Sequence, residues 1–268
     1  EYQYIFNEAC RIGLVDSYTY IGDPAFYDLP VEEMISDEFA AERAALIDMD
    51  NMQAMESVPL SDLPVTKLEP TAEESQHTTH IAVIDQYGNI VSTTNTLGNG
   101  WGCKFMAPGL GFFYNSHIGN LDHENPDSPD YVMPGKRVRS TISPSLVLQD
   151  GNPIMAVGSP GSLAIPPAVA TIINNVLLYG MNVQQAINEP RAMAINRSGM
   201  DSPARVSIEQ PRFDPDLVAQ MEGIGYEMKD VGEYNMAVGG IAAIYLDRDN
   251  GIFYAGADPR RGYKALAY

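Results

Sequence analysis

The sequence predicts an α+β fold in which antiparallel hairpins are flanked by helices. Three observations carry this expectation: two strand–turn–strand signals, over residues 79–96 and 143–158; one apolar stretch of helical length, 163–179, closed by Gly180; and shorter helical and strand segments continuing to the C-terminus.

In chain order, residues 4–14 read as a short helix and residues 30–48 as a second, with the loop 22–29 between them. The second places Val31, Met34, Ile35, Phe39, Ala40 and Leu46 near the i, i+3, i+4 spacing of an amphipathic helix, with Pro30 at its start. Residues 49–77 carry Pro59, Pro64 and Pro70 among scattered acids, which predicts an extended, exposed connection suited to chain cleavage. Strands follow at 79–85 and 90–96 around the turn Gln86-Tyr87-Gly88-Asn89, then at 143–149 and 153–158 around Asp150-Gly151-Asn152. The 163–179 stretch is apolar nearly all round, so a buried helix is expected; Pro166, Pro167, Asn174 and Asn175 interrupt it as a membrane span. A short helix at 182–188, a strand at 205–209, a helix opened by Asp214-Pro215, and strands at 237–247 and 252–257 complete the reading, with stops at Gly180, Gly223 and Gly251.

The chain of 268 residues carries a net charge of −19, which argues against non-specific binding to nucleic acid or anionic membranes. The acidity is uneven: residues 1–77 hold 17 acids and 3 bases, residues 78–268 hold 18 and 13, so the two stretches are expected to differ in role. Cys10 and Cys103 are too few for a disulfide framework or a four-cysteine zinc site. The chain begins at Glu1 with neither Met nor an apolar leader, so the natural start is expected upstream.

The four histidines are His77, His80, His117 and His123. On an extended strand His77 and His80 point to opposite faces and cannot chelate one ion, so no metal site is expected. More telling is Thr78-Thr79-His80-Ile81-Ala82-Val83-Ile84-Asp85, which opens the first strand directly after the exposed connection. A threonine hydroxyl is a poor nucleophile until a base takes its proton. The α-amine of an N-terminal threonine is such a base, partly neutral at physiological pH because it titrates near ~7.7–8.0. Thr78 has that amine only if the chain is cut between His77 and Thr78. The competing explanation for Thr-Thr at a strand start is simple β-propensity.

In this stretch the sequence resembles the γ-glutamyltranspeptidase family of N-terminal-nucleophile hydrolases. The family pattern T-T-H-x-x-V-x-D-x-x-G-N-x-V-x-x-T-x-T-L matches Thr78 to Leu97. Further matches follow in order: Lys136-Arg137 with Ser140-Thr141-Ile142-Ser143-Pro144, then Gly158-Ser159-Pro160-Gly161-Ser162, Asn188-Glu189-Pro190-Arg191 and Asp258-Pro259-Arg260. Upstream, Asp16, Tyr20-Ile21-Gly22-Asp23-Pro24 and Leu29-Pro30-Val31 resemble the last part of the family's large subunit.

The resemblance implies a four-layer αββα sandwich, two stacked antiparallel sheets between helical layers, with one layer incomplete because the first part of the large subunit is not in this chain. It implies a precursor that cuts itself between His77 and Thr78, residues 1–77 being the tail of the large subunit and 78–268 the small, catalytic one. The fragment alone is then expected to be inactive, and the remainder of the large subunit is its implied partner. Thr78 becomes the nucleophile, Thr96 orients its hydroxyl, and the backbone N–H groups of Gly161 and Ser162 form the oxyanion hole. Ser140 and Thr141 hold the substrate carboxylate, and no cofactor is needed. The implied substrate is a γ-glutamyl amide.

Departures from the family pattern bear on that substrate. Asn120 stands where an aspartate usually grips the α-ammonium, His117 where glutamine is usual, Gly98 in place of an asparagine, and Ser162 in place of the second glycine. A neutral amide cannot pair with an ammonium. An acylase for glutaryl-type amides and a non-catalytic relative are therefore the alternatives. The loop 121–135 is shorter than the family's lid and includes Tyr131.

Overall fold

The first helix forms where the sequence places it but runs further. In the computed structural model, which describes residues 1–63, 77–195 and 204–268, α1 spans Tyr2–Tyr20. Gly13 does not end it: Leu14, Val15 and Tyr20 are buried, and their packing outweighs the roughly 1 kcal/mol that one interior glycine costs. The helix expected over 30–48 is two, α2 (Val31–Met34) and α3 (Asp37–Ala44). Ser36 explains the break, because its hydroxyl accepts the Phe39 N–H at 3.1 Å and Asp37 and Glu38 fill the acid-favouring first turn of α3. Residues 49–63 hold no helix or strand, although Val58 and Ser61 are buried. The expected connection over residues 64–76 lies outside the described residues.

Both hairpins form. β1 (Thr78–Ile84) and β2 (Ile90–Thr96) pair antiparallel with Thr78 opposite Thr96. β3 (Ser145–Gln149) and β4 (Asn152–Gly158) follow, joined by Asp150 and Gly151 at φ +51° and +77°, the two positive values that match a hairpin turn to strand twist. In α4 (Ile165–Leu177) the two prolines fall in the first turn, where no hydrogen bond is lost. The expectation of full burial needs correction: α4 buries Ile165, Ala168, Val169, Ile172 and Val176, while Leu177 and the following Leu178 and Tyr179 are exposed. A capping box of Asn182 and Gln185 opens α5 (Val183–Asn188), and Asp214 caps α6 (Pro215–Gly223). β6 (Arg205–Ile208) and β9 (Ile252–Ala257) match expectation. The strand expected from 237 begins only at β8 (Ala242–Asp247), because Met236–Val238 is a 3₁₀ turn leading into Gly239 at φ +85°. Two strands escape the sequence reading: β5 (Ala192–Ala194), three residues long, and the polar β7 (Glu227–Asp230), which pairs parallel to β6.

The chain divides into two compact units that interleave in sequence: Glu1–Glu73 with His117–Ser140 and Ala192–Val231, and Glu74–Ser116 with Thr141–Arg191 and Gly232–Tyr268. In the first, α1 packs on β5, and Tyr4, Ala194, Val206, Ile208, Val218 and Met221 share one core. A buried Glu8–Arg11 ion pair at 3.0 Å is closed by the Tyr226 hydroxyl, 2.6 Å from Glu8, and that burial pushes the phenol's pKa up. In the second, the β1–β2 hairpin lies on the four-stranded antiparallel sheet β3-β4-β8-β9, whose other face carries α4 and α5. Residues 154–158 of β4 are all buried, as a strand between two layers must be. Among its described residues this unit therefore stacks two sheets and one helical layer. The hairpin's outer face leaves Ile81, Val83 and Val91 exposed.

Candidate active site

The antiparallel register puts Thr78 and Thr96, His80 and Thr94, and Ala82 and Ser92 side by side on the hairpin face turned toward the sheet. At its mouth, the Thr78 hydroxyl donates to Thr96 Oγ1 at 2.9 Å. The same oxygen accepts the Gly98 N–H at 3.1 Å, and the Thr96 hydroxyl donates to the His77 carbonyl at 3.4 Å. A hydroxyl has one proton and two lone pairs, so Thr96 is fully engaged and its orientation is set. It touches both the candidate nucleophile and the carbonyl that precedes it. Two residues along, His80 is 2% exposed, its Nδ1 is 2.8 Å from Thr94 Oγ1, and burial pulls its pKa down to about 4, so the ring is neutral. Gly158 on β4 makes room for it: a Cβ there would overlap the imidazole. On the edge of β1 away from β2, the His80 N–H donates to the Tyr263 hydroxyl at 2.9 Å.

The second part of the site is the turn after β4. Gly161 has φ +136° and Ser162 φ +55°, the latter a strained value for a residue with a side chain. A Cβ on Gly161 would lie 3.0 Å from the Gly239 Cα, tighter than ordinary contact, and its φ of +136° disfavours any side chain. Gly239 in turn has no space for a Cβ, with Ser159 Oγ 2.8 Å and Ala168 Cβ 2.9 Å from the position it would take. The N–H groups of Gly161 and Ser162 meet no acceptor among the described residues, and Gly161 is buried. Buried backbone donors are almost always paired, which makes the Gly161 N–H an exception to be explained, and an anion is the kind of group that two adjacent donors would suit. The Ser162 carbonyl accepts the Thr141 hydroxyl at 3.0 Å, tying Thr141 to this turn.

The other expected residues divide between the units. Gly98 sits at the hairpin mouth through its bond to Thr96, whereas His117, Asn120 and Ser140 belong to the first unit. His117 and Asn120 bracket a 3₁₀ turn, Asn120 is exposed, and partial burial lowers the His117 pKa. Tyr131 bridges to Asp122 within its loop, and its carbonyl accepts Lys136 Nζ at 2.8 Å. Among the described residues, no three His, Cys, Asp or Glu stand together in a way that could hold a metal ion. Motifs without an expected role prove to be paired. Arg191 meets Asp258 at 2.7 Å, with Arg260 on the other carboxylate oxygen at 3.2 Å, all buried. Arg137 grips Asp23 at 2.9 Å and holds its pKa below the usual carboxylate range. Sequence reasoning named Ser159 within a motif but gave it no role, and it missed the Gly239-Gly240 pair and Tyr263; the glycine doublet ahead of an apolar strand was the available signal.

Comparison with known proteins bears on all of this. The γ-glutamyltranspeptidase family model matches residues 1–268. A glutathione hydrolase proenzyme of Bacillus subtilis strain 168 is 28% identical over 272 residues, covering 98% of this chain and 44% of that protein. The Acylase ACY 1 proenzyme of Pseudomonas sp. strain SE83 is 34% identical over 188 residues, 70% of this chain and 32% of that one. The chain thus spans less than half the length of these relatives. Among solved structures, a cephalosporin acylase from Bacillus halodurans superposes with a TM-score of 0.82 at 25% identity, over 98% of this chain and 44% of that one. A γ-glutamyltranspeptidase chain from Pseudomonas nitroreducens gives 0.61 at 25% identity, over 71% of this chain and 99% of that one. The fold is the α+β fold of the N-terminal-nucleophile hydrolases.

Proposed function

Since the chain belongs to the γ-glutamyltranspeptidase family, we propose that the protein carrying it is a self-processing γ-glutamyltransferase or hydrolase working through an acyl-threonine. The observation that carries this is the Thr78–Thr96–His77 relay: one hydroxyl, 2.9 Å from the Thr78 oxygen and 3.4 Å from the His77 carbonyl oxygen. In self-cleavage the Thr78 oxygen attacks the His77 carbonyl carbon, the carbon–nitrogen bond breaks, and the hydroxyl proton ends on the Thr78 nitrogen. Water then splits the ester, leaving a His77 carboxylate and a Thr78 with both hydroxyl and free amine. That amine takes the hydroxyl proton when Thr78 attacks a substrate amide, while the Gly161 and Ser162 N–H groups receive the developing oxyanion. Residues 78–268 make up 71% of the chain, the share that covers the P. nitroreducens chain, which supports a small subunit starting at Thr78. The relatives' designation as proenzymes points the same way.

A second reading, an acylase for glutaryl-type amides, is favoured by Asn120, which offers no charge to an α-ammonium, and by the similarity to the ACY 1 acylase. The intact mass of the full-length protein, followed over time beside Thr78→Ala, tests the central claim. Two masses summing to the precursor plus one water are expected only when Thr78 is present. One unchanging mass in both would leave the non-catalytic relative as the better reading. With the processed enzyme, faster turnover of glutaryl than γ-glutamyl amides would select the acylase.

A further inference from the structure

We propose that Ser159 is a positioning residue that aims the Gly161 N–H at the oxyanion, an inference that rests on reading Gly161 and Ser162 as the oxyanion donors. A peptide group is planar, and in its trans form the N–H and C=O point in opposite directions. Among the described residues there is no cis peptide bond, so whatever grips the Pro160 carbonyl also sets the direction of the Gly161 N–H in the same plane. The group that grips it is the Ser159 hydroxyl, which donates to the Pro160 oxygen at 2.6 Å and is completely buried. Its proton is held in that direction from the other side, because the Gly240 N–H donates into Ser159 Oγ at 3.0 Å and leaves the hydroxyl proton for Pro160.

The adjacent donor is aimed by the same device with a different partner. The Gly161 carbonyl shares its plane with the Ser162 N–H and accepts the Ala164 N–H at 3.0 Å. One oxyanion donor is therefore held by the start of the helical segment and the other by a single side chain. Behind that side chain stands a chain of fixed groups. Gly239 packs on Ser159 and Gly161 without room for a Cβ, and the next amide but one, Ile241, donates to Asp258 Oδ2 at 2.8 Å. Asp258 is clamped by Arg191 and Arg260. The two buried motifs near the C-terminal half of the chain thus hold the strand entry against which the Ser159 hydroxyl is oriented, and none of these side chains needs to touch substrate.

The test is Ser159→Ala in the processed full-length enzyme, with three readouts: kcat and KM for a γ-glutamyl anilide, affinity for a boronic acid analogue whose adduct with Thr78 is tetrahedral and anionic, and affinity for the planar acid product. Wild type must bind the boronate more tightly than the product; if it does not, the oxyanion reading itself fails. Given that preference, Ser159→Ala should lower kcat about tenfold and boronate affinity by a similar factor, with KM and product affinity within about twofold. Retained product binding shows that the variant has folded. Boronate affinity and kcat at wild-type levels would overturn the proposal, as would an equal loss for boronate and product, which marks a general structural defect. Ser159→Cys, which keeps a weak donor at the same place, should fall between alanine and wild type.

Discussion

The two halves of the site are built by opposite means. At the hairpin mouth the proposed working atoms belong to side chains: Thr78, Thr96 and the nearby Thr94–His80 pair are held by hydroxyl and imidazole contacts on a hairpin that forms a two-stranded sheet among the described residues. In the turn after β4 the proposed working atoms belong to the backbone, and they are held by close backbone approach at Gly239 together with the one Ser159 hydroxyl. The first half should therefore be sensitive to which atoms are present and tolerant of small changes in shape. The second should also respond to added volume, since Gly158 and Gly239 leave no room for a Cβ. The halves meet where Gly158 lies under the His80 ring, so that contact is the place to break the contrast.

The largest effect is expected there. Gly158→Ala puts a methyl inside the imidazole's volume, and His80 has no exposed side to move toward. Overpacking of this kind costs about 3 kcal/mol or more, enough to lower the thermal midpoint by roughly 6–12 °C in a protein of this size. The double variant His80→Ala with Gly158→Ala should recover part of the loss. An unchanged midpoint in the single variant would show that hairpin and turn do not share their packing.

A smaller effect should appear with pH. His80 is neutral in the folded chain down to about pH 4, whereas an unfolded histidine takes a proton near ~6.5. Between those values the unfolded state binds more protons, so this group's contribution is complete above ~6.5 and lost as pH falls toward 4. From pH 7.5 to pH 5 that amounts to about 2 kcal/mol, and urea unfolding of wild type against His80→Asn would isolate it. Parallel pH curves for the two would mean that the ring is accessible to protons and that burial does not hold the hairpin face.

The same contrast explains what could be read in the sequence. The hairpin that sets Thr78 opposite Thr96 was legible because turn residues and strand alternation fix which side chains share a face, whereas the roles expected of the two threonines came from the family resemblance alone. The helix after the turn was legible from its apolar run and Gly180, but its extent of burial was not, since Leu177 and Leu178 look like core residues until the packing shows that nothing described covers them. The break at Ser36 was available as a capping signal and was masked by the apolar spacing that runs through it. Ser159 was hidden for a different reason. Its role comes from a peptide plane and from Gly240, 81 residues away, and no local pattern encodes a partner at that separation. The pairing of Arg191 with Asp258 was illegible in the same way, although both residues stood in recognised motifs.

The mildest prediction separates atoms from shape at Thr96. Thr96→Val keeps the branched outline and β-propensity but removes the oxygen that receives the Thr78 hydroxyl and the Gly98 N–H and reaches the His77 carbonyl. The Thr78 hydroxyl is then free to rotate, and the carbonyl loses its polarising contact. Self-cleavage should slow about tenfold, equivalent to about 1.4 kcal/mol on the barrier, with the thermal midpoint close to that of wild type. Thr96→Ser restores the oxygen while losing the methyl, and should recover most of the rate. If the serine variant is as slow as the valine variant, shape and not the oxygen governs at the hairpin mouth, and the distinction between the two halves of the site fails.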